Sequence, residues 1–291
     1  MIRPVKYVLV FLLIAVLLSA VISAIVCRTH LKVTEYDQEL EGLKEDCSVV
    51  CLSDLHSVQY GEENRILLEK VSQQNPDAIF VLGDMLNLDA DEAEVDQFLR
   101  LMENLKKIAP VYFSFGNHEM DYMHSGGKNL YHLLQDRDIT VLLDRYVKAQ
   151  IGSNQVHIGG SLGHYYGYHW SKKTKNNPPD YAMEESIGKS VRPAIVLLHM
   201  PETILLDSAV KHWTGDLYLS GHTHGGVIRI PGIGGLFAPT QGLFPKYDQG
   251  QFVVYHKRFP LIITSGLSGY NYVPRIFNLP EICVVHLKPS K

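Results

Sequence analysis

Five short clusters of metal-ligand side chains lie along the sequence, each directly after an apolar run. They are Asp54-Leu55-His56, Gly83-Asp84, Gly116-Asn117-His118-Glu119, His199, and Gly221-His222-Thr223-His224. Carboxylate, amide and imidazole groups without thiolate suit Mn, Fe, Zn or Ni. Alternate residues of an extended segment point the same way, so each D-x-H or H-x-H pair can reach toward one centre. The clusters together favour a metal site.

Each cluster taken alone has an ordinary structural explanation. Gly83-Asp84 is more often a turn than a ligand, because Asp and Gly dominate turns. Asn117 could cap the segment that follows it, and His199 could be a half-buried histidine at the end of a strand. The joint occurrence of the clusters, in this order and each at a strand end, outweighs these explanations.

The elements that must position these clusters are short strands alternating with helices. The strands predicted ahead of the clusters are Ser48–Leu52, Ala78–Leu82, Val111–Phe115, Ala194–Leu198 and Leu217–Leu219. The predicted helices are Glu62–Gln74, Asp91–Ile108 and Leu130–Gln135. Further strands are predicted at Ile139–Leu143, Val227–Ile230, Phe252–His256, Leu261–Thr264 and Ile282–Leu287. This pattern predicts a layered α/β domain with two sheets packed face to face, and ligands bind at the carboxyl ends of such strands.

In their order and relative spacing the clusters resemble the calcineurin-like metallophosphoesterases, whose pattern is D-x-H, G-D, G-N-H-[DE], H, G-H-x-H. The match covers roughly Ser48–Leu287. The run Gly221–Gly226 with Ile230–Gly235 and Pro245-Lys246-Tyr247 resembles the bacterial membrane-anchored or exported branch, called YaeI/YkuE-like. The resemblance implies a four-layer αββα sandwich, in which two mixed sheets are flanked by helices.

The resemblance also implies a role for each site residue. Two divalent ions (Mn, Fe, Zn or Ni) would be held, one by Asp54, His56 and His224 and the other by Asn117, His199 and His222, with Asp84 bridging both. His118 would be the catalytic histidine, facing the substrate phosphate and leaving group without binding metal. The implied activity is hydrolysis of phosphodiester or pyrophosphate bonds by a metal-bridging hydroxide.

Two positions depart from the family pattern. Asn87 stands three residues after Asp84, where relatives often carry an acid that orients the catalytic histidine. An amide can accept the imidazole N–H bond but stabilises the charged ring less well, so Asn87 is expected to weaken His118 as an acid. After Gly159-Gly160 the chain reads Ser161-Leu162-Gly163-His164 instead of placing an early Asp. With the long loop predicted at His164–Tyr181, this indicates a specialised substrate side.

The amino-terminal segment has no charged residue from Tyr7 to Cys27, which is long enough to cross a membrane as a helix. The alternatives are a cleaved signal peptide, whose apolar region is usually shorter, and a lipoprotein cut before Cys27. The predicted organisation is an anchor at 1–27, a linker at 28–46 and the metallophosphoesterase domain at 47–291. Arg3 and Lys6 lie on one side of this segment and Arg28 and Lys32 on the other, and the expectation is a single-pass cell-membrane protein with its domain extracytoplasmic. Because the helix lacks ionisable residues, it is expected to act only as a tether.

Composition narrows the choice of function. The 291 residues carry a formal charge of −4 without a basic run, which argues against a dedicated nucleic-acid partner. The alternative to an enzyme is a catalytically silent metal-binding scaffold acting as an envelope adaptor, but all seven ligand positions carry competent residue types. A zinc peptidase is disfavoured because H-E-x-x-H is absent. Membrane anchorage favours a phosphoester substrate that is lipid-linked or part of the envelope; the oligomeric state is left open.

Overall fold

Two six-stranded sheets form the centre of the fold. The computed structural model describes residues 2–162, 182–189, 192–206, 212–254, 259–270 and 273–290. The strands are β1 (Lys32–Leu40), β2 (Cys47–Leu52), β3 (Ala78–Val81), β4 (Val111–Ser114), β5 (Thr140–Leu142), β6 (Arg145–Ile151), β7 (Asn154–Ser161), β8 (Ala194–Leu198), β9 (Leu217–Ser220), β10 (Arg229–Ile230), β11 (Gly234–Gly235), β12 (Phe237–Ala238), β13 (Gly242–Leu243), β14 (Gly250–Val254), β15 (Phe259–Ile263) and β16 (Glu281–Pro289).

The helices lie mostly between strands of the first half. They are α1 (Ile2–Thr29), α2 (Arg65–Gln73), α3 (Glu92–Lys106), α4 (Asn117–His124), α5 (Leu130–Gln135), α6 (Ala182–Ile187) and α7 (Glu202–Leu206). Short 3-10 turns occur at Glu62–Asn64 and His224–Gly226. Helix α3 begins with a capping box, in which the Asp91 carboxylate accepts the Glu94 N–H and the Glu94 carboxylate accepts the Asp91 N–H, each at 2.9 Å.

Both sheets are mixed, with their parallel strands at the centre. The first has the order β1-β16-β2-β3-β4-β5 and the second β14-β15-β9-β8-β7-β6. In the first sheet β2, β3, β4 and β5 run parallel, and β16 is antiparallel to β2. In the second, β7, β8, β9 and β15 run parallel between the antiparallel strands β6 and β14. The central strands of each sheet therefore end at one edge.

Three apolar layers hold the sheets and helices together. Successive residues of a strand face opposite sides, so Val49 and Cys51 of β2 pack between the sheets while Val50 and Leu52 face the helices. Helices α2, α3 and α5 cover the outer face of the first sheet, and α6 and α7 cover that of the second. This is the αββα sandwich, and the expected fold class is confirmed.

Most strand and helix predictions agree with the structure, and the differences have local causes. Leu130–Gln135 and Ala194–Leu198 have the predicted bounds. The helix predicted from Glu62 begins at Arg65, because Glu63 and Asn64 adopt left-handed backbone conformations. The strand predicted over Val227–Ile230 is only Arg229–Ile230, since the chain at Val227 is still leaving the turn of the last cluster. The predicted loop His164–Tyr181 lies outside the described residues.

The segment 28–46, predicted as a linker, contains a strand of the first sheet. Strand β1 pairs in parallel with β16 over its whole length, from Lys32 opposite Glu281 to Leu40 opposite Pro289. The buried carboxylate of Glu281 accepts from the Thr34 hydroxyl at 3.1 Å and lies 2.7 Å from the Lys32 ammonium. The linker prediction is wrong for this stretch. Its alternating polar residues belong to an edge strand that exposes one face to solvent.

Helix α1 packs against the rest of the chain through one face near its carboxyl end. It contains a segment long and apolar enough to cross a membrane, Lys6–Thr29. On its last two turns Ala20, Ser23 and Ala24 are half-buried and Cys27 is buried, while their neighbours are exposed. These residues follow the helical spacing i, i+3, i+4, i+7, so one narrow face packs against the domain. The sequence did not predict this contact because small residues carry no periodic signal in a uniformly apolar run.

We expect Lys32→Met to lower the free energy of unfolding by about 1–3 kcal/mol, because it leaves the buried Glu281 carboxylate without its cation. The matched control is Lys288→Met, whose partner Asp37 joins the same two strands but is exposed. That pair should contribute much less, because water and salt screen an exposed ion pair. Urea unfolding of the detergent-solubilised chain measures both variants. Equal effects would contradict the assignment of the segment to the folded domain.

Candidate metal centre

The site residues lie at the carboxyl ends of five central strands. Asp54 and His56 follow β2, Asp84 follows β3, and Asn117 follows β4 in the first sheet. His199 follows β8, and the His222/His224 pair follows β9 in the second sheet. Because the parallel strands of both sheets end at the same edge, residues far apart in sequence meet between the sheets.

Ligand atoms from six of these side chains, together with His118, form three overlapping groups. The groups are Asp54, His56 and His224; Asp84, His199 and His222; and His56, Asp84 and His118, each with its ligand atoms within 4.8 Å of one another. The first group coincides with one predicted ligand set, and the second contains two members of the other. Asp84 belongs to two groups, which is the position expected of a bridging carboxylate.

Two buried carboxylates face the imidazole rings. Asp84 Oδ2 lies 3.0 Å from His199 Nε2 and 3.9 Å from His56 Nε2. Asp54 Oδ1 lies 3.6 Å from His224 Nε2 and 3.9 Å from His199 Nε2. The two carboxylates are therefore surrounded by nitrogen atoms at distances that a bound cation can span.

Several buried polar atoms at this point have no hydrogen-bond partner among the described residues. They are His56 Nε2, Asn117 Oδ1, His118 Nδ1, His199 Nε2 and His222 Nε2. A buried polar atom without a partner destabilises the fold by about 1–3 kcal/mol. Lone pairs of this kind, converging with two carboxylates, fit divalent cations as ligands. Asn117, whose amide oxygen is one of these atoms, thereby fits the position predicted for it.

Backbone carbonyls orient two of the histidines. His199 Nδ1 lies 2.8 Å from the Leu82 carbonyl and His224 Nδ1 lies 3.1 Å from the Ser268 carbonyl. A carbonyl can only accept, so each Nδ1 must carry a proton, and Nε2 is the nitrogen that faces the buried carboxylates. Hydrogen bonds of this kind fix the tautomer of metal-binding histidines.

The electrostatic environment separates His199 from the other histidines. Burial lowers the pKa of His56 and His224, and it lowers the pKa of His222 to about 3. These three rings are neutral near pH 7, as ligands must be. Burial would also lower the pKa of His199, but the Asp84 carboxylate outweighs it and raises that pKa to about 10. A metal cation held there would replace the proton as the charge opposite Asp84.

The backbone at the site is unusual for residues with side chains. Asp54, His56, Asp84, His222 and His224 all have positive φ, between 48° and 69°. Left-handed conformations are uncommon outside glycine, and they concentrate at functional sites where the surrounding structure holds them. Five of the seven predicted ligands thus have a backbone conformation that is unfavourable in itself and is typical of functional sites.

Glu119 holds the Asp84 turn in place, a role that the sequence analysis did not assign. Its buried carboxylate accepts backbone N–H groups from Asp84 at 2.8 Å, Met85 at 2.6 Å and Gly116 at 2.9 Å. The Asp84 carboxylate in turn accepts the His118 N–H at 2.8 Å. A Cβ on Gly83 would lie 2.3 Å from the Gly116 nitrogen, so the two turns need glycine to meet. The acid at the third position of α4 was the available signal.

Arg275 is a second residue that the sequence analysis missed. Its buried guanidinium donates to the carbonyls of Ser268, Ser265 and Gly266. Ser268 is the residue whose carbonyl orients His224, so Arg275 holds the loop that fixes this ligand. Nothing in the sequence marked it, because a single arginine in a loop is ordinarily exposed.

The environment of His118 differs from what the motif suggested. Its ring lies 4.4 Å from that of His56, in an edge-to-face arrangement. The Asn87 amide, expected to accept the His118 N–H, instead donates to the His56 carbonyl at 3.2 Å. That expectation is wrong because the turn after Asp84 directs Asn87 toward His56. Ser161 donates to the buried Glu184 carboxylate at 2.7 Å, while the other residues of its loop from 163 onward are outside the described chain.

Comparisons with known proteins agree with this geometry. The family described as calcineurin-like phosphoesterase matches residues 47–226. An uncharacterized metallophosphoesterase of Helicobacter pylori J99 is 30% identical over 89% of this chain and 64% of its own length. Phosphodiesterase YaeI of Escherichia coli K12 is 27% identical over 82% of this chain and 81% of its own.

A further relative is similar over a shorter region. UDP-2,3-diacylglucosamine pyrophosphatase LpxG of Chlamydia muridarum is 35% identical over 32% of this chain and 28% of its own length. The chain spans less than two thirds, 64%, of the length of the Helicobacter relative and 81% of that of YaeI. The matched family model, which covers more than half of the chain, leads to one conclusion: the chain belongs to the calcineurin-like phosphoesterases.

Proposed function

We propose that the chain is a membrane-anchored phosphoesterase in which seven side chains hold two divalent ions and cleave phosphodiester or pyrophosphate bonds. The observation that carries the proposal is the convergence of buried, unpartnered ligand atoms on two buried carboxylates. One ion is assigned to Asp54, His56 and His224, and the other to Asn117, His199 and His222, with Asp84 between them. The donor set suits Mn, Fe, Zn or Ni.

Each group of residues has a distinct task in this proposal. When bound, the ions would acidify a water molecule for attack and neutralise charge that develops on the phosphoryl oxygens. Asp84 brings the two ligand sets together, and Glu119 fixes the backbone from which Asp84 projects. His118, beside His56 and without a hydrogen-bond partner at Nδ1 among the described residues, would donate a proton to the leaving oxygen.

The substrate class is proposed from the anchor and from one relative. Helix α1 would hold the domain at the membrane as a single-pass anchor, with the domain on the extracytoplasmic side. The Chlamydia relative is named as a pyrophosphatase of a diacylated nucleotide sugar. Both features favour a lipid-linked phosphodiester or pyrophosphate. A catalytically silent scaffold is the weaker alternative, because each of the seven proposed ligand positions carries a residue type that can bind a metal ion.

A metal-reconstituted assay of the full chain in detergent tests the proposal. It compares a bis-aryl phosphodiester, an aryl phosphomonoester and a nucleotide–lipid pyrophosphate, each with Mn, Fe, Zn or Ni and with a chelator. We expect metal-dependent turnover of the diester and the pyrophosphate in preference to the monoester. Absence of turnover with every metal would favour the scaffold instead.

Asp84→Asn should abolish nearly all activity and release at least one metal equivalent. The substitution removes the anion that compensates the repulsion between two dications. Elemental analysis of the purified variant, alongside its turnover of the diester, measures both effects. Two ions still bound with unchanged turnover would contradict the two-metal assignment.

His118→Ala should keep both metals and lose about 10² to 10⁴ in turnover, as expected on removal of a general acid. The loss should shrink for nitrophenolate, a leaving group that needs little protonation. A series of aryl diesters with different leaving-group pKa values measures this dependence. Equal losses across the series would mean that His118 positions the phosphate instead of protonating the leaving oxygen.

Glu119→Gln should weaken metal affinity about 10–100-fold, because the amide presents N–H groups to a turn that itself offers only N–H donors. The control is Asp216→Asn, which alters a carboxylate that accepts the Ala194 N–H at 2.8 Å at the opposite, amino-terminal edge of the second sheet. Metal titration measures the affinity of both variants, and the comparison separates an effect on the geometry of the metal site from a general loss of stability. Equal weakening in the control would assign Glu119 a purely structural role.

A further inference from the structure

Exposed apolar side chains cluster on short hairpins that follow the last metal-ligand motif. Ile233 at the turn between β10 and β11 and Leu243 on β13 are each 68% exposed. Phe244 is 57% exposed, and Phe277 on the later loop is 42% exposed. We call Ile233, Phe237, Leu243, Phe244, Val273 and Phe277 the apolar rim. Residues of this size projecting from hairpin tips do not contribute to a core, so they indicate a surface for contact.

The apolar rim adjoins the metal centre. Leu243 pairs with Phe237 across the β12–β13 hairpin. The Phe237 ring lies 6.4 Å from the Tyr270 ring, which in turn lies 5.5 Å from the ring of His224. Ile233 and Phe277 line the same groove, of about 470 Å³. Phe237 of the rim is thus separated from the His224 ring by the single ring of Tyr270.

The rim also adjoins the end of helix α1. The Phe277 N–H donates to Ser23 Oγ at 2.6 Å, two turns before the helix ends. The half-buried residues Ala20, Ser23 and Ala24 extend this contact along one face of the helix. The domain thus reaches alongside the apolar helix by about 9 Å, measured from Thr29 back to Ser23 at 1.5 Å per residue.

The length of the helix determines how deep this contact lies. The uncharged stretch without domain contact, Tyr7–Ser19, is about 20 Å long, whereas the hydrocarbon core is about 30 Å thick. The two turns packed against the domain must therefore complete the crossing. If α1 spans the membrane, the loop at Phe277 lies at the boundary between hydrocarbon and headgroups, where exposed aromatic and aliphatic side chains are favoured.

From this geometry we infer that the apolar rim is immersed in the membrane leaflet nearest the domain, where the carboxyl end of α1 lies. The metal centre would then open onto the bilayer surface and take amphiphilic phosphoesters from that leaflet. This inference rests on the anchoring proposed above. The partner is the lipid bilayer because the rim is continuous with a helix face whose own partner is lipid. If a second copy of the chain covered the rim instead, the rim would have to face away from the membrane. The length of α1 places the rim at the membrane.

Spin-label accessibility tests the inference without any turnover. All four native cysteines are buried, so single cysteines introduced by Ile233→Cys and Leu243→Cys can be labelled selectively with a nitroxide. The full chain is reconstituted in phosphatidylethanolamine–phosphatidylglycerol vesicles, and collisions with oxygen and with a water-soluble nickel complex are compared. Val16→Cys reports the exposed centre of α1, and Val253→Cys is the control, an apolar residue 57% exposed on β14 outside the rim.

Immersion predicts a several-fold higher oxygen-to-nickel ratio at positions 233 and 243 than at 253, approaching the ratio at 16. Equal ratios at 233, 243 and 253, with lipid contact at 16, would overturn the inference and leave the anchor intact. Low accessibility to both reagents at 233 and 243 would also overturn it, because a protein partner would then cover the rim. Water contact at position 16 would overturn the anchoring and the inference together, while the hydrolase activity would stand on its own assay.

Discussion

The burial of carboxylates at the meeting point of two sheets is the constraint on which the rest of the structure depends. Asp54 and Asp84 are buried at 0% and 1% exposure, and removing such groups from water is unfavourable by several kcal/mol unless positive charge and donors compensate. Imidazole rings from both sheets surround them, and the Asp84 carboxylate, 3.0 Å from His199 Nε2, raises the pKa of His199. The site is thus arranged around buried negative charge that bound cations would stabilise. The surrounding fold holds its ligand residues in left-handed backbone conformations.

The sequence analysis selected side chains that the fold does bring together, because they come in local patterns at strand ends. Asp54 and His56, or His222 and His224, need only an extended chain and a turn to share a centre. Glu119 and Arg275 were missed for the opposite reason. Their roles arise from contacts with backbone groups far along the chain or within an irregular loop, and no residue pattern encodes which carbonyl or N–H will be near.

The first 40 residues of the sequence show a second limit of pattern analysis. Polar residues alternate along Lys32–Leu40, and this pattern led to the prediction of a linker. The segment is instead the edge strand of the first sheet, where it pairs in parallel with β16. The small residues of α1 likewise carried no sign that they would touch the domain. Pairing with a strand some 250 residues away decides the first case and tertiary packing decides the second. The contact between Ser23 and Phe277 links helix α1 to a loop beside the metal-ligand side chains, so helix and site form one continuous structure.

Anomalous diffraction from crystals of the manganese-loaded chain tests the central claim most directly. The account predicts two anomalous peaks on either side of the Asp84 carboxylate, about 3.5–4 Å apart, one near His56 and His224 and the other near His199 and His222. It also predicts that His118 contacts neither peak. A single peak, or two peaks that share no ligand at Asp84, would contradict the dinuclear centre on which the proposed chemistry rests.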